Sequence, residues 1–141
     1  MIVQAVSPGR TFWVRLDPHQ DVLLGLRQAV AEAGIANGVI LGGVGSLSAY
    51  HFHVVSSTEL PPTNAFVRGV GPWDIVNVNG AILGGRVHAH ITFTNETQTL
   101  GGHLEEGTTV LTFAIIAVQE MLDVDAAAWD TVGPLTSDRP A

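Results

Sequence analysis

The 141-residue chain contains no cysteine. That excludes a disulfide framework, a thiolate metal site and a cysteine nucleophile. Charge is scarce as well: 13% of residues are charged against 46% hydrophobic, and mean hydropathy is +0.31. So few charges cover a monomer's surface poorly, which points to burial in an oligomer. Basic residues are the rarest class, six against thirteen acidic ones, for a net charge of −7 and a pI near 5.1. Phosphate recognition needs a Lys/Arg patch, so this balance argues against nucleic acid as a direct partner. Long hydrophobic runs are missing too. Val39 to Val44 and Phe113 to Val118 fall far short of the roughly 20 residues a membrane helix requires. The opening residues Met1 to Val6 lack the basic start and apolar stretch of an export signal. The expectation is a cytoplasmic protein with no membrane partner.

The length suits a single domain over residues 1–141, with a core at about 10–122 and a partly ordered tail at 123–141. Thr11 to Leu16 is rich in β-branched and aromatic residues and predicts a strand. Asp17 is the expected N-cap of a helix, with Pro18 at its first position. Val22, Leu23, Leu26, Ala29, Val30 and Ala33 recur at three- and four-residue spacing, and Gly34 suits the C-terminal cap. Gly38 to Ser46 reads as a buried strand entering a glycine-rich turn, followed by a strand from Leu47 to Val55. Ser56 to Asn64 is a loop and Ala65 to Arg68 a short strand. Asp74 to Leu83, Gly85 to Phe93 and Thr109 to Gln119 complete the strands, and Thr94 to Thr97 carries turn chemistry. One main helix followed by strands predicts an α+β domain, the helix packed on one face of a largely antiparallel sheet.

Within this frame lies Arg86-Val-His88-Ala-His90, and thirteen residues beyond His90 comes Gly101-Gly-His103-Leu. Side chains alternate along a strand, so His88 and His90 project to one side, with Cα atoms about 6.6 Å apart. A third imidazole from a neighbouring strand would complete three nitrogens around an ion with one position open. Register decides whether His103 supplies it. A turn at Asn95-Glu96 sets His103 opposite His88, whereas one at Glu96-Thr97, or a loop of Asn95 to Gln98, sets it opposite His90. An odd loop, or a bulge at Gly101-Gly102, would send it to the other face. Neutral imidazoles suit zinc, iron or copper, and three nitrogens with an open position do not choose among them; zinc is the expected metal. Such a site would lose metal as its ligands protonate below about pH 6.

These segments resemble the PPC family, the "plants and prokaryotes conserved" domain. The resemblance rests on Gly43-Val-Gly-Ser-Leu-Ser-Ala49, Gly71-Pro-Trp-Asp-Ile-Val76, Asn79-Gly-Ala-Ile82, His88-Ala-His90 and Gly101-Gly-His-Leu-Glu-Glu-Gly107. It implies a compact α+β trimer and assigns His88, His90 and His103 as metal ligands. In plants the domain follows a DNA-binding AT-hook, and this chain has none. Asp74 stands where the family usually carries Glu, one methylene longer.

The remaining candidates are secondary. Glu105 and Glu106 follow His103, and either is a candidate general base on a metal-bound water, Glu106 ahead of Glu105 and with Asp74 beside it; all three also read as surface carboxylates. His51 and His53 repeat the His-x-His spacing and read as the polar face of a strand, or as supporting partners if that strand adjoins His88. His19 reads as solvated. Arg15, Arg68 and Arg86 could clamp an anion or serve oligomer ion pairs. Ser46 and Ser48 lack a nucleophile elbow, and Gly42-Gly-Val-Gly lacks the ending of a phosphate loop. The sequence thus predicts a trimeric protein with a three-histidine metal site. Its chemistry is either metal-assisted hydrolysis or lyase work on a small molecule, or none, the domain then being an oligomerisation and partner-binding module.

Overall fold

A computed structural model describes residues 1–135; residues 136–141 of the expected tail lie outside the described residues. The elements run β1 (Ser7–Leu16), α1 (Val22–Ala33), β2 (Asn37–Val55), β3 (Asn64–Leu83), β4 (Arg86–Thr94), β5 (Thr99–Leu104) and β6 (Thr109–Leu122). The strands pair antiparallel in the order β1-β6-β2-β3-β4-β5, and β5 returns to pair with β2. The sheet therefore closes on itself along the upper part of β2.

This corrects the expected α+β class. Strand accounts for 59% of the structure and helix for 9%, so the fold is β-rich with one short helix as an accessory. The discrepancy lies in two glycine-bearing segments that read as breaks. β2 runs unbroken through Gly42-Gly-Val-Gly, and β3 runs through Gly69 to Pro72. At Gly45, with φ of 149°, a Cβ would lie 2.1 Å from the Phe113 carbonyl oxygen. The glycine there lets β6 approach β2 closely and does not end the strand. Register shifts at Leu47/Ala49 and Ile75/Asn77 bend these strands enough to close the sheet.

α1 forms where its periodicity predicts, with Val22, Leu23, Leu26 and Val30 buried and Gly34 capping its C-terminus at φ 66°. Its N-cap is Asp21 rather than Asp17: Asp21 Oδ1 accepts from Leu24 N at 2.9 Å. Pro18 and His19 are spent in a turn instead, His19 at φ 70° donating its N–H to the Val110 carbonyl. The core faces inward from the curved sheet, where Tyr50, Phe52, Trp73 and Phe93 pack with ring centroids 4.9 to 5.9 Å apart. Beyond β6 the chain folds back through Ala126, which is buried. Trp129, a few residues further on, is 41% exposed.

Candidate metal centre

β4 alternates as its sequence requires. Val87, Ala89, Ile91 and Phe93 enter the core, while His88 and His90 face outward. The connection to β5 is the four-residue loop Asn95 to Gln98, with Thr94 opposite Thr99 and His90 opposite His103. Asn95 closes it: its N–H bonds the Gln98 carbonyl at 3.0 Å, and its Oδ1 accepts from the amides of Thr97 and Gln98 at 2.9 and 3.1 Å. The even count brings His103 to the face of His88 and His90. One nitrogen of each of the three imidazoles falls within 4.8 Å of the others. Ligands about 2.0–2.1 Å from a tetrahedral ion lie about 3.4 Å apart, so small side-chain rotations close the set.

His103 Nδ1 lies 3.2 Å from the Ala89 carbonyl oxygen. A carbonyl only accepts, so Nδ1 carries the proton and Nε2 is left with a free lone pair, the arrangement of a metal ligand. The three rings stack at centroid separations of 4.8 to 5.7 Å. Crowding favours the neutral form. His103 is depressed to about 4, first by burial and then by the neighbouring imidazoles of His53, His90 and His88, against an opposing pull from Glu105. His90 is lowered too, by burial first and then by His88 and His53. Converging imidazoles, two of them held toward the neutral form and one with its tautomer fixed, fit a divalent transition metal.

β2 adds a fourth imidazole. His53 is paired with His103 across the β2–β5 contact, their ring centroids 4.5 Å apart. Glu105 Oε1 lies 2.6 Å from His53 Nδ1, both side chains being mostly buried. His53, His103 and Glu105 thus form a second group of potential ligands sharing His103. Glu105, read from the sequence as a candidate base, stands just past the end of β5, two residues beyond His103. His51 is buried and holds the following turn; its Nδ1 donates to the Glu106 carbonyl at 2.6 Å, and its own carbonyl accepts from Glu105 N at 3.0 Å. Its Nε2 is buried without a partner.

Other sequence candidates stand apart. The Glu106 carboxylate pairs with Arg27, on the helix. Asp74 is exposed opposite Thr94, four residues and about 13 Å along β4 from His90. It lines a shallow cavity of about 530 Å³ with Ser46, Trp73 and Leu111, away from the imidazoles. Arg15 pairs with Asp17 and Arg86 with Asp130, so Arg68 is the one described arginine without an ion pair. The described residues contain no helix long and apolar enough to cross a membrane.

A β-rich domain with a histidine-bearing outer sheet face is the class that fold and site define. Residues 3–122 match the model of the Plants and Prokaryotes Conserved (PCC) domain, and the chain belongs to that family. A plant- and prokaryote-conserved (PPC) protein from Pyrococcus horikoshii is similar in structure, with TM-score 0.76, 25% identity, and 89% of this chain and 87% of that one covered. A metal-containing protein from Archaeoglobus fulgidus matches at TM-score 0.76 and 18% identity, over 89% of both chains. A protein from Ralstonia eutropha, named as a candidate DNA-binding protein, matches at TM-score 0.66 and 24% identity, over 81% of this chain and 78% of that one. No curated protein sequence matches significantly.

Proposed function

We propose that the protein is a cytoplasmic homotrimer whose His88, His90 and His103 hold one divalent metal, most simply zinc, for hydrolytic or lyase chemistry on a small molecule. The observation that carries this is the convergence of three imidazole nitrogens within 4.8 Å on one outward face. The metal-containing Archaeoglobus relative agrees with it. A metal there would act as a Lewis acid and lower the pKa of a coordinated water. On the protein side, His103 is oriented by the Ala89 carbonyl, and the Glu105 carboxylate orients His53 beside it. His53 and Glu105 are therefore better placed than Glu106 or Asp74 to accept a proton at this face.

Support for the trimer is the outward face of the sheet, where Leu41, Val44, Val76 and Phe113 are 39 to 55% exposed. Isolated, such apolar exposure is a liability, and assembly buries it. We keep direct nucleic-acid contact out of the function despite the Ralstonia relative. The net charge is −7, and four of the five described arginines are neutralised by carboxylates.

The rival is a non-catalytic binding module in which a metal only staples β4 to β5. Metal-loaded protein and His90→Ala, screened against hydrolase and lyase substrates alongside thermal melting, separate the two. A catalytic centre loses turnover in the variant while its melting temperature stays within a few degrees. A staple shows no turnover and loses several degrees or its oligomeric state.

A further inference from the structure

The segment after β6 brings a carboxylate to the back of the histidine cluster. Asn37, itself buried, anchors this segment: its Nδ2 donates to the Val124 carbonyl at 2.9 Å. Its Oδ1 accepts from Ala126 N at 3.2 Å and from Gly84 N at 3.3 Å. Arg86, two residues before His88, then clamps the chain from Nη2, donating to the Ala127 carbonyl and to Asp130 Oδ1, both at 2.7 Å. The other oxygen, Oδ2, lies 3.6 Å from His88 Nδ1, and the Asp130 side chain is only 21% exposed.

We propose that Asp130 is a positioning residue for His88, its carboxylate accepting a hydrogen bond from Nδ1–H so that Nε2 is presented to the ion. The inference rests on the three-histidine reading above. A ligating imidazole is oriented by what its other nitrogen donates to, and loss of that partner weakens metal binding. His103 already has such a partner in the Ala89 carbonyl; Asp130 gives His88 the equivalent. At 3.6 Å the pair is longer than a hydrogen bond, and the role requires a small rotation of the His88 ring to close it. Asp130 lies beyond the residues 3–122 that define the family match, so this chain's own C-terminal segment completes its site.

The test is a zinc competition titration against a chromophoric chelator on the full chain, in wild type, Asp130→Asn, His88→Ala and the double variant. Asp130→Asn keeps an acceptor for Arg86, and its metal-free melting temperature should match wild type. Zinc affinity should fall about 10- to 100-fold in Asp130→Asn. In the His88→Ala background the same change should alter affinity less than about twofold, because the effect passes through His88. Wild-type affinity in Asp130→Asn, or an equal loss in both backgrounds, would overturn the positioning role while leaving the three-histidine site standing. No zinc binding by wild type, or unchanged binding in His88→Ala, would overturn the site itself and this role with it.

Discussion

Burial among neighbouring imidazoles disfavours a proton on His103. Protonating it means charging a partly buried ring beside His53, His90 and His88, and its value drops from the usual 6.5 to about 4. Between those values the unfolded chain binds more protons than the folded one. Stability therefore rises with pH across that window: its contribution is present above about 6.5 and is lost as pH falls through about 4. The imidazole C–H signals of His103 in metal-free protein should titrate with a midpoint near 4, and thermal stability should decline over the same range. A His103 midpoint near 6.5 would contradict the crowding. At this scale strand parity set His88 and His90 on one face, whereas the face of His103 hung on the register and was assigned by the family resemblance; the four-residue loop Asn95 to Gln98 brings it there. His53 was not legible, because its membership depends on β2 reaching past β6 to β5, a pairing of distant segments. Nor was Asp130, placed by side-chain bonds from Arg86 and Asn37 that leave no periodic trace.

Elements were legible where periodicity was unbroken and misread where glycine interrupted it. α1 and β4 are almost as their sequences predict, whereas β2 and β3 each read as two pieces. Glycine in these strands serves close approach. Gly80, at φ 158°, sits opposite Ala89 between the two histidines of β4, and a Cβ there would fall 2.2 Å from the His88 carbonyl oxygen. Backbone cannot yield as a side-chain tip can. Gly80→Ala should cost at least about 2 kcal/mol in denaturant unfolding and weaken zinc binding by displacing β4. Stability and affinity matching wild type would show that β4 is not held by this contact. The core face of the same strand gives a second expectation. Phe93 is fully buried among Tyr50, Phe52 and Trp73, so Phe93→Ala should lose about 3–5 kcal/mol in the same measurement. A loss below about 1 kcal/mol would mean the aromatic cluster is not the core.

For the whole molecule, composition anticipated much that the fold makes specific. Too few charges to cover a monomer becomes an outward sheet face bearing Leu41, Val44, Val76 and Phe113. Sedimentation equilibrium should give about three times the 14.8 kDa chain mass. Val44→Asp with Phe113→Asp should shift the species toward monomer; a wild-type monomer would contradict the assembly. Fold class was the feature composition hid. Antiparallel strands closing through a long β2 look, residue by residue, like separate short strands beside a prominent helix. The proposed function stands on the metal centre of His88, His90 and His103. Elemental analysis of protein purified without a His tag or chelating resin tests it most directly, run beside His88→Ala and His103→Ala. Wild type should carry about one zinc, iron or copper per chain as purified, and either variant only a small fraction of that. Metal-free wild type even after controlled loading, or metal retained in both variants, would contradict the three-histidine centre.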